Sequence, residues 1–207
     1  ALLEDAGVDV IGVDLLGHGG APKPHQPEAY ADLTARVLDA LPPEPVDAVG
    51  FSLGAITLLR LAIDHPERIN RLVLAGIGSN VLANDHSGTA RIVAGLEAVA
   101  DGADPGTLDT TVRLFTQYAT QPGNDLAALT ACMKRPPAGP IERAQLAEVS
   151  CPLWVVVGDR DFVHPGDELA ASFPNGRCET LRGVDHFATT DAFGFFDAAL
   201  EFLDAVV

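Results

Sequence analysis

A serine between two glycines is the residue of this sequence best suited to covalent chemistry. Residues Gly50–Gly54 read G-F-S-L-G, with an apolar run before them and a helix-like segment after them. A serine on a sharp strand-to-helix turn holds its hydroxyl clear of the sheet, and the helix N-terminus favours negative charge that develops beside it. The pattern therefore predicts Ser52 as a nucleophile and the backbone N–H of Leu53 as an oxyanion donor. On this motif alone, a turn with a capping serine is the alternative.

A serine hydroxyl needs a base beside it, and the base is in turn oriented by a carboxylate. His186 lies in the segment G-V-D-H-F, just after the last predicted strand, and Asp161 ends the segment G-D-R-D after the strand before it. Because the carboxyl ends of parallel strands meet at one edge of a sheet, these side chains are expected to converge. We predict Ser52, Asp161 and His186 as a catalytic triad of nucleophile, orienting acid and general base.

Other acids and histidines near these positions have simpler interpretations. Asp159 is the nearest alternative to Asp161, but it suits a turn or cap. Asp185 adjoins His186 in sequence, and adjacent side chains usually point apart. His18 is interpreted as structural, with its ring bonded to nearby backbone. No pair of histidines has the spacing of metal ligands, and no dinucleotide or phosphate-binding motif occurs, so we expect no metal and no cofactor.

Four aromatic side chains are candidates for the lining of an acyl pocket: Phe162, Phe187, Phe115 and Tyr118. Phe115 and Tyr118 are three residues apart and would share one helix face. Ordinary packing is the preferred interpretation for them.

Strand-like and helix-like segments alternate along most of the chain, which predicts an α/β fold with a mainly parallel sheet flanked by helices. The predicted strands are Val8–Val13, Val46–Phe51, Arg71–Ala75, Leu153–Val157 and Cys178–Leu181. The predicted helices of this alternating part are Glu28–Leu41, Leu53–Ile63, Asp167–Phe173 and Ala192–Val206.

Residues 79–149 interrupt the alternation. They contain helix-like pieces separated by Gly and Pro, with no strand between them: Thr89–Ala100, Leu108–Ala119, Leu126–Lys134 and Ile141–Val149. We interpret the segment as a helical insertion over one end of the sheet. The predicted organisation is thus a core of residues 1–78 and 150–207 with a lid of residues 79–149.

Four motifs together resemble those of the α/β-hydrolase superfamily, and the resemblance covers essentially the whole chain. Asp14–Gly19 is similar to its D-x-x-G-H-G turn and Gly50–Gly54 to its nucleophile elbow. Gly158–Pro165 is similar to its acid loop, in which Asp161 matches the functional acid, and Gly183–His186 to its histidine loop. The esterase, lactonase and haloperoxidase-like branch fits best. The resemblance implies a lid at residues 79–149.

The family's sheet has more strands than this sequence offers. The resemblance implies that the first strands, and the loop that supplies a second oxyanion N–H, would precede Ala1. One missing strand would lie between Val8–Val13 and Val46–Phe51, so we expect a fragment with a gap in its sheet. In a complete molecule the strands would instead pair differently, or a partner would fill the gap. Removing one oxyanion donor costs roughly 10²- to 10³-fold in turnover, so such a fragment is expected to be weakly active.

Composition narrows the classes of partner. The 207 residues suggest one domain, and a formal charge of −16 argues against binding to nucleic acid or an anionic membrane. No apolar run approaches the roughly 20 residues of a membrane span. The cysteines are three and far apart, which suggests a reduced, cytoplasmic protein. A small-molecule substrate is expected, whereas the oligomeric state is left open.

Three functions remain open at this point. The first is hydrolysis of a carboxylic ester, thioester or lactone through an acyl-enzyme on Ser52. The second uses the same triad for acyl transfer or perhydrolysis. The third is a non-catalytic protein that binds a small molecule, against which the complete triad argues.

Overall fold

The computed structural model describes residues 2–83 and 87–205. Its helices and strands in chain order are α1 Leu2–Asp5, α2 Thr34–Ala40, β1 Val46–Phe51, α3 Leu53–Asp64, β2 Ile69–Ala75, α4 Ser87–Ala100, α5 Thr110–Ala119, α6 Leu126–Met133, α7 Arg143–Glu148, β3 Leu153–Gly158, α8 Asp167–Ala170, β4 Gly176–Leu181 and α9 Phe193–Phe202. Across these residues, no helix has both the length and the apolar character needed to cross a membrane.

The chain divides into two compact units. The first contains the described residues of Ala1–Gly12, Leu38–Ala83 and Ile141–Val207, and the second contains those of Val13–Val37 and Asn84–Pro140. The predicted role of residues 79–149 as a lid stays a prediction.

The first unit is built on a parallel sheet in the order β1-β2-β3-β4. The apolar runs L-V-L-A in β2 and L-W-V-V-V in β3 are buried almost completely, as expected of strands covered on both faces. Trp154 of β3 belongs to a buried cluster with Val73 of β2 and Phe195 of α9. The predicted α/β fold with a parallel sheet flanked by helices is confirmed.

The second unit contains a small helical core. Ile92 and Leu96 of α4 pack in one buried cluster with Val112 of α5 and Leu129 of α6. Gly95 allows α4 and α5 to approach closely, since a Cβ at this position would come within 2.0 Å of Val112 Cγ1. The helices predicted within residues 79–149 are present as α4 to α7, and their ends differ from the predicted ones by up to two residues.

The predicted strand Val8–Val13 is wrong. These residues have no regular secondary structure, and Val8, Val10 and Ile11 are 39%, 46% and 53% exposed. Within the described part of the chain, β1 pairs with β2 and has no strand on its other side. An extended segment needs a hydrogen-bonded neighbour to become a strand, and apolar pattern alone does not report whether a neighbour exists.

The predicted helix Glu28–Leu41 is wrong in its first half. A 3₁₀ turn covers Pro27–Tyr30, and α2 begins only at Thr34. The Asp32 carboxylate accepts the Thr34 hydroxyl at 2.7 Å and the N–H groups of Thr34 and Ala35. An aspartate that bonds the backbone in this way starts a helix instead of continuing one.

Three later elements also differ at their ends. Helix α8 ends at Ala170 instead of Phe173, and strand β4 begins at Gly176, two residues before the predicted start. Helix α9 ends at Phe202, and Val206, the predicted end, lies outside the described residues.

Candidate active site

The register of the sheet brings the ends of its strands to one edge. Phe51 at the end of β1 pairs with Ala75 at the end of β2, and Ala75 pairs with Val156 of β3. Gly158 at the end of β3 pairs with Leu181 at the end of β4. The residues that follow these strands therefore emerge side by side, as the sequence predicts for the carboxyl edge of a parallel sheet.

Ser52 lies on a strained turn between β1 and α3. Its backbone has φ 51° and ψ −112°, in a region that residues other than glycine rarely adopt, and its N–H donates to Ala75 O at 2.8 Å. Gly50 makes this turn possible, since a Cβ there would lie 2.7 Å from Ala55 N. The other glycine of the motif differs, because a Cβ on Gly54 would meet no atom within 4 Å. Close backbone approach thus requires Gly50 alone.

The structure brings the three predicted triad side chains into one hydrogen-bonded chain. Ser52 Oγ lies 3.0 Å from His186 Nε2, and His186 Nδ1 lies 2.9 Å from Asp161 Oδ2. Because an ionised carboxylate only accepts hydrogen bonds, we assign the proton on neutral His186 to Nδ1, which leaves Nε2 to accept the serine O–H. The other carboxylate oxygen, Asp161 Oδ1, accepts the Val163 N–H at 3.0 Å.

Burial makes this chain of hydrogen bonds suited to proton transfer. Asp161 and His186 are only 5% and 4% exposed, and both are among the few buried polar residues. A buried carboxylate needs a hydrogen-bonded or charged partner, and His186 supplies one. Low local polarity also strengthens the attraction between Asp161 and an imidazolium that forms on His186.

Asp159 and Asp185, the two alternative acids, have other partners. Asp159 Oδ1 accepts the N–H of Gly183 at 2.7 Å, which ties the acid loop to the histidine loop. Asp185 Oδ1 accepts the N–H of Ala188 at 3.0 Å and caps the turn after His186. Asp161 is the acid that contacts the imidazole.

Three phenylalanine rings of the first unit pack against the imidazole of His186. The ring centroids of Phe51 and Phe162 lie 4.9 Å and 4.6 Å from that of the imidazole, and the Phe187 ring meets it edge-on at 5.4 Å. Gly76, at φ +64°, leaves room for the Phe51 ring, which a Cβ would approach to 2.5 Å. The sequence contains a signal for this arrangement that motif matching overlooks: each triad residue has a phenylalanine as its immediate neighbour.

The other two aromatic candidates belong to the second unit. Phe115 and Tyr118 lie against the buried helical cluster of the second unit, as the packing interpretation predicts. His18, also in the second unit, places Nδ1 3.1 Å from Leu16 O, in agreement with its structural interpretation. The neighbouring turn is closed by Asp14, whose Oδ2 accepts the Gly20 N–H at 2.8 Å.

Among residues 2–83 and 87–205, no group of three or more His, Cys, Asp or Glu side chains is arranged to hold a metal ion.

Comparisons with known proteins agree with the α/β fold. Residues 1–121 match the model of a family described as alpha/beta hydrolase fold. The chain is 31% identical over 181 residues to a pimeloyl-[acyl-carrier protein] methyl ester esterase of Chromobacterium violaceum, covering 79% of this chain and 70% of that protein.

Two solved structures are similar as well. A hydrolase from Pseudomonas aeruginosa PA01 is 30% identical with a TM-score of 0.60, covering 92% of this chain and 77% of that one. A putative non-heme bromoperoxidase, BpoC from Mycobacterium tuberculosis, has a TM-score of 0.68 at 20% identity, covering 94% and 81%. At that identity the second likeness shows the fold alone.

Proposed function

The chain belongs to the α/β-hydrolase fold family, and from that premise we propose that it is a serine hydrolase that cleaves a carboxylic ester, thioester or lactone of a small molecule. The observation that carries the proposal is the continuous hydrogen-bonded chain from Ser52 Oγ through His186 to Asp161. The relatives named as an esterase and a hydrolase support hydrolysis as the type of reaction.

The first half of the reaction forms an acyl-enzyme. Ser52 Oγ attacks the carbonyl carbon while its proton passes to His186 Nε2, 3.0 Å away. Asp161 accepts the Nδ1–H and stabilises the imidazolium without taking the proton. His186 then gives its proton to the leaving oxygen or sulfur, and the bond between the carbonyl carbon and that atom breaks.

The tetrahedral oxyanion needs donors aimed at it. Leu53 is the first residue of α3, where the backbone N–H groups have no acceptor within the helix. We assign one oxyanion donor to the Leu53 N–H, and the positive end of the α3 dipole adds to its effect. Ser52 is held on the strained turn immediately before this N–H, which keeps nucleophile and donor in fixed relation.

The second half releases the acyl group. A water molecule takes the place of the leaving group, His186 Nε2 accepts one of its protons, and the resulting hydroxide attacks the acyl carbon. The proton returns to Ser52 Oγ when the acid departs. An alcohol or hydrogen peroxide in place of water would give acyl transfer or perhydrolysis through the same acyl-enzyme.

The test is hydrolysis of a panel of p-nitrophenyl esters, acyl thioesters and lactones by wild-type protein and Ser52→Ala. We expect turnover of at least one substrate class and its loss in Ser52→Ala. Ser172→Ala is the matched control, because its hydroxyl is also hydrogen-bonded, to Glu168 O at 2.9 Å, in the same unit and outside the triad. Full activity of Ser52→Ala would overturn the proposal. Formation of a new ester with added alcohol, or of a peracid with added hydrogen peroxide, would identify a different acceptor from water.

A further inference from the structure

The aromatic rings around His186 bear on which substrates this site accepts. His186 Nδ1 is occupied by Asp161, and Nε2 faces Ser52. Phe51 and Phe162 lie at tilts of 41° and 44° to the imidazole, whereas Phe187 is nearly perpendicular to it. The imidazole therefore exchanges protons with a substrate through Nε2 alone, among apolar neighbours.

The chemistry of acyl transfer fixes which part of a substrate comes close to these rings. The acyl carbon bonds to Ser52 Oγ, while the oxygen of the leaving alcohol must come within roughly 2.6–3.2 Å of His186 Nε2 to receive its proton. The alcohol portion of an ester thus lies on the histidine side of the serine. Rings that pack on the imidazole therefore lie near the alcohol portion.

Phe162 stands out among the three rings by its exposure. Its neighbours in sequence, Asp161 and Val163, are 5% and 6% exposed, yet Phe162 itself is 47% exposed and is one of the few large hydrophobic side chains with so much accessible surface. The Asp161 carboxylate accepts the Val163 N–H at 3.0 Å, which holds the backbone on both sides of Phe162 in place. Apolar surface of this kind gains free energy when an apolar group covers it.

We propose that Phe162 is a specificity-determining residue that contacts the alcohol portion of the substrate and selects esters of apolar alcohols. The proposal rests on the ester hydrolysis proposed above. The Phe162 ring covers the alkyl chain next to the leaving oxygen, so each methylene that it covers favours the transition state for that ester. The acyl portion lies on the other side of Ser52 Oγ and does not depend on this ring.

The experiment compares two substrate series in wild-type protein and Phe162→Ala. In one series the acyl group is butanoyl and the alcohol runs from methyl to hexyl; in the other the alcohol is methyl and the acyl chain runs from acetyl to octanoyl. We expect wild-type protein to prefer the hexyl ester, and the hexyl-to-methyl ratio of kcat/KM to fall about 4- to 15-fold in Phe162→Ala, as expected for one or two covered methylenes. The acyl series is expected to keep its ratios.

Phe193→Ala is the matched control, because Phe193 is an 85% exposed phenylalanine of the same unit that begins α9. Phe162→Leu, which retains an apolar side chain, is expected to restore most of the preference. Circular dichroism verifies folding. If Phe162→Ala does not fold, Phe162→Gln replaces it, since it also removes the aromatic ring.

Three results would overturn the proposal. An equal loss for every ester in Phe162→Ala would mean that the ring only holds the imidazole in place. A wild-type preference for the methyl ester, or a change confined to the acyl series, would place apolar selection elsewhere. Failure of the proposed function itself has a different signature, namely no ester hydrolysis that depends on Ser52 in the wild-type protein.

Discussion

The two glycines of the elbow motif offer a sharp test, because the structure requires only one of them. A Cβ on Gly50 would lie 2.7 Å from Ala55 N and from the carbonyl carbon of Gly54, both backbone atoms that cannot move without shifting α3. Inserting a methyl group into such a contact costs about 1–3 kcal/mol. For a chain of this length that lowers Tm by roughly 2–12 °C, since each kcal/mol corresponds to roughly 2–4 °C.

Gly54→Ala is the matched substitution, because a Cβ there would meet no atom within 4 Å. Gly54 lies in the first turn of α3, where alanine is the better helix former by up to about 1 kcal/mol, so Tm is expected to stay the same or to rise by up to about 4 °C. Differential scanning calorimetry gives both Tm values, and a fluorophosphonate probe reports whether the Ser52 hydroxyl is still activated.

The expected result is a destabilised, poorly labelled Gly50→Ala beside a stable, labelled Gly54→Ala. Equal Tm values and equal labelling for the two variants would refute the reasoning, because the turn would then tolerate a side chain at Gly50. A destabilised Gly54→Ala would equally contradict the open space beside that residue.

Two further predictions concern carboxylates. Asp159→Ala removes the 2.7 Å hydrogen bond from Gly183 N–H, so kcat/KM is expected to fall about 2- to 10-fold, the value of one such bond. Asp159→Asn keeps an acceptor oxygen and should recover kcat/KM, whereas Asp104→Ala, which removes a similar 2.8 Å bond from a glycine N–H elsewhere, should leave kcat/KM unchanged. An unchanged kcat/KM in Asp159→Ala would contradict the prediction. The hydrogen bond with His25, followed by backbone N–H bonds at the start of α6, lowers the pKa of Asp125. This carboxylate therefore stabilises the fold above its ordinary pKa of about 4, and the contribution disappears as pH falls through the lowered pKa. Asp125→Ala is expected to lower Tm by about 2–4 °C at pH 7 and by less at pH 3, and a Tm difference from wild type that grows on acidification would refute the prediction.

Features that depend on local chemistry could be predicted from the sequence. Strands β1 to β4, α3 and the convergence of Ser52, Asp161 and His186 follow from apolar runs and from motifs placed just after strands. The position of a motif directly after a strand is informative, because the carboxyl ends of parallel strands lie at the same edge of the sheet in any strand order.

Features that depend on distant partners could not be predicted in this way. The segment Val8–Val13 has the apolar pattern of a strand, but a strand also needs a hydrogen-bonded neighbour, which the pattern does not report. The different roles of Gly50 and Gly54 depend on the path of α3 against the turn. The packing of Phe162 on His186 joins residues 24 positions apart along the chain, beyond the reach of any local pattern.

The most direct test of the account is labelling with a fluorophosphonate probe, followed by mass spectrometry of peptides, because the central claim is that His186 activates Ser52. We expect Ser52 to be the modified residue, with labelling absent in Ser52→Ala, slower by at least about 100-fold in His186→Ala, and unchanged in Ser172→Ala. A folded wild-type protein that is not labelled at Ser52, or one labelled equally fast with and without His186, would contradict the claim.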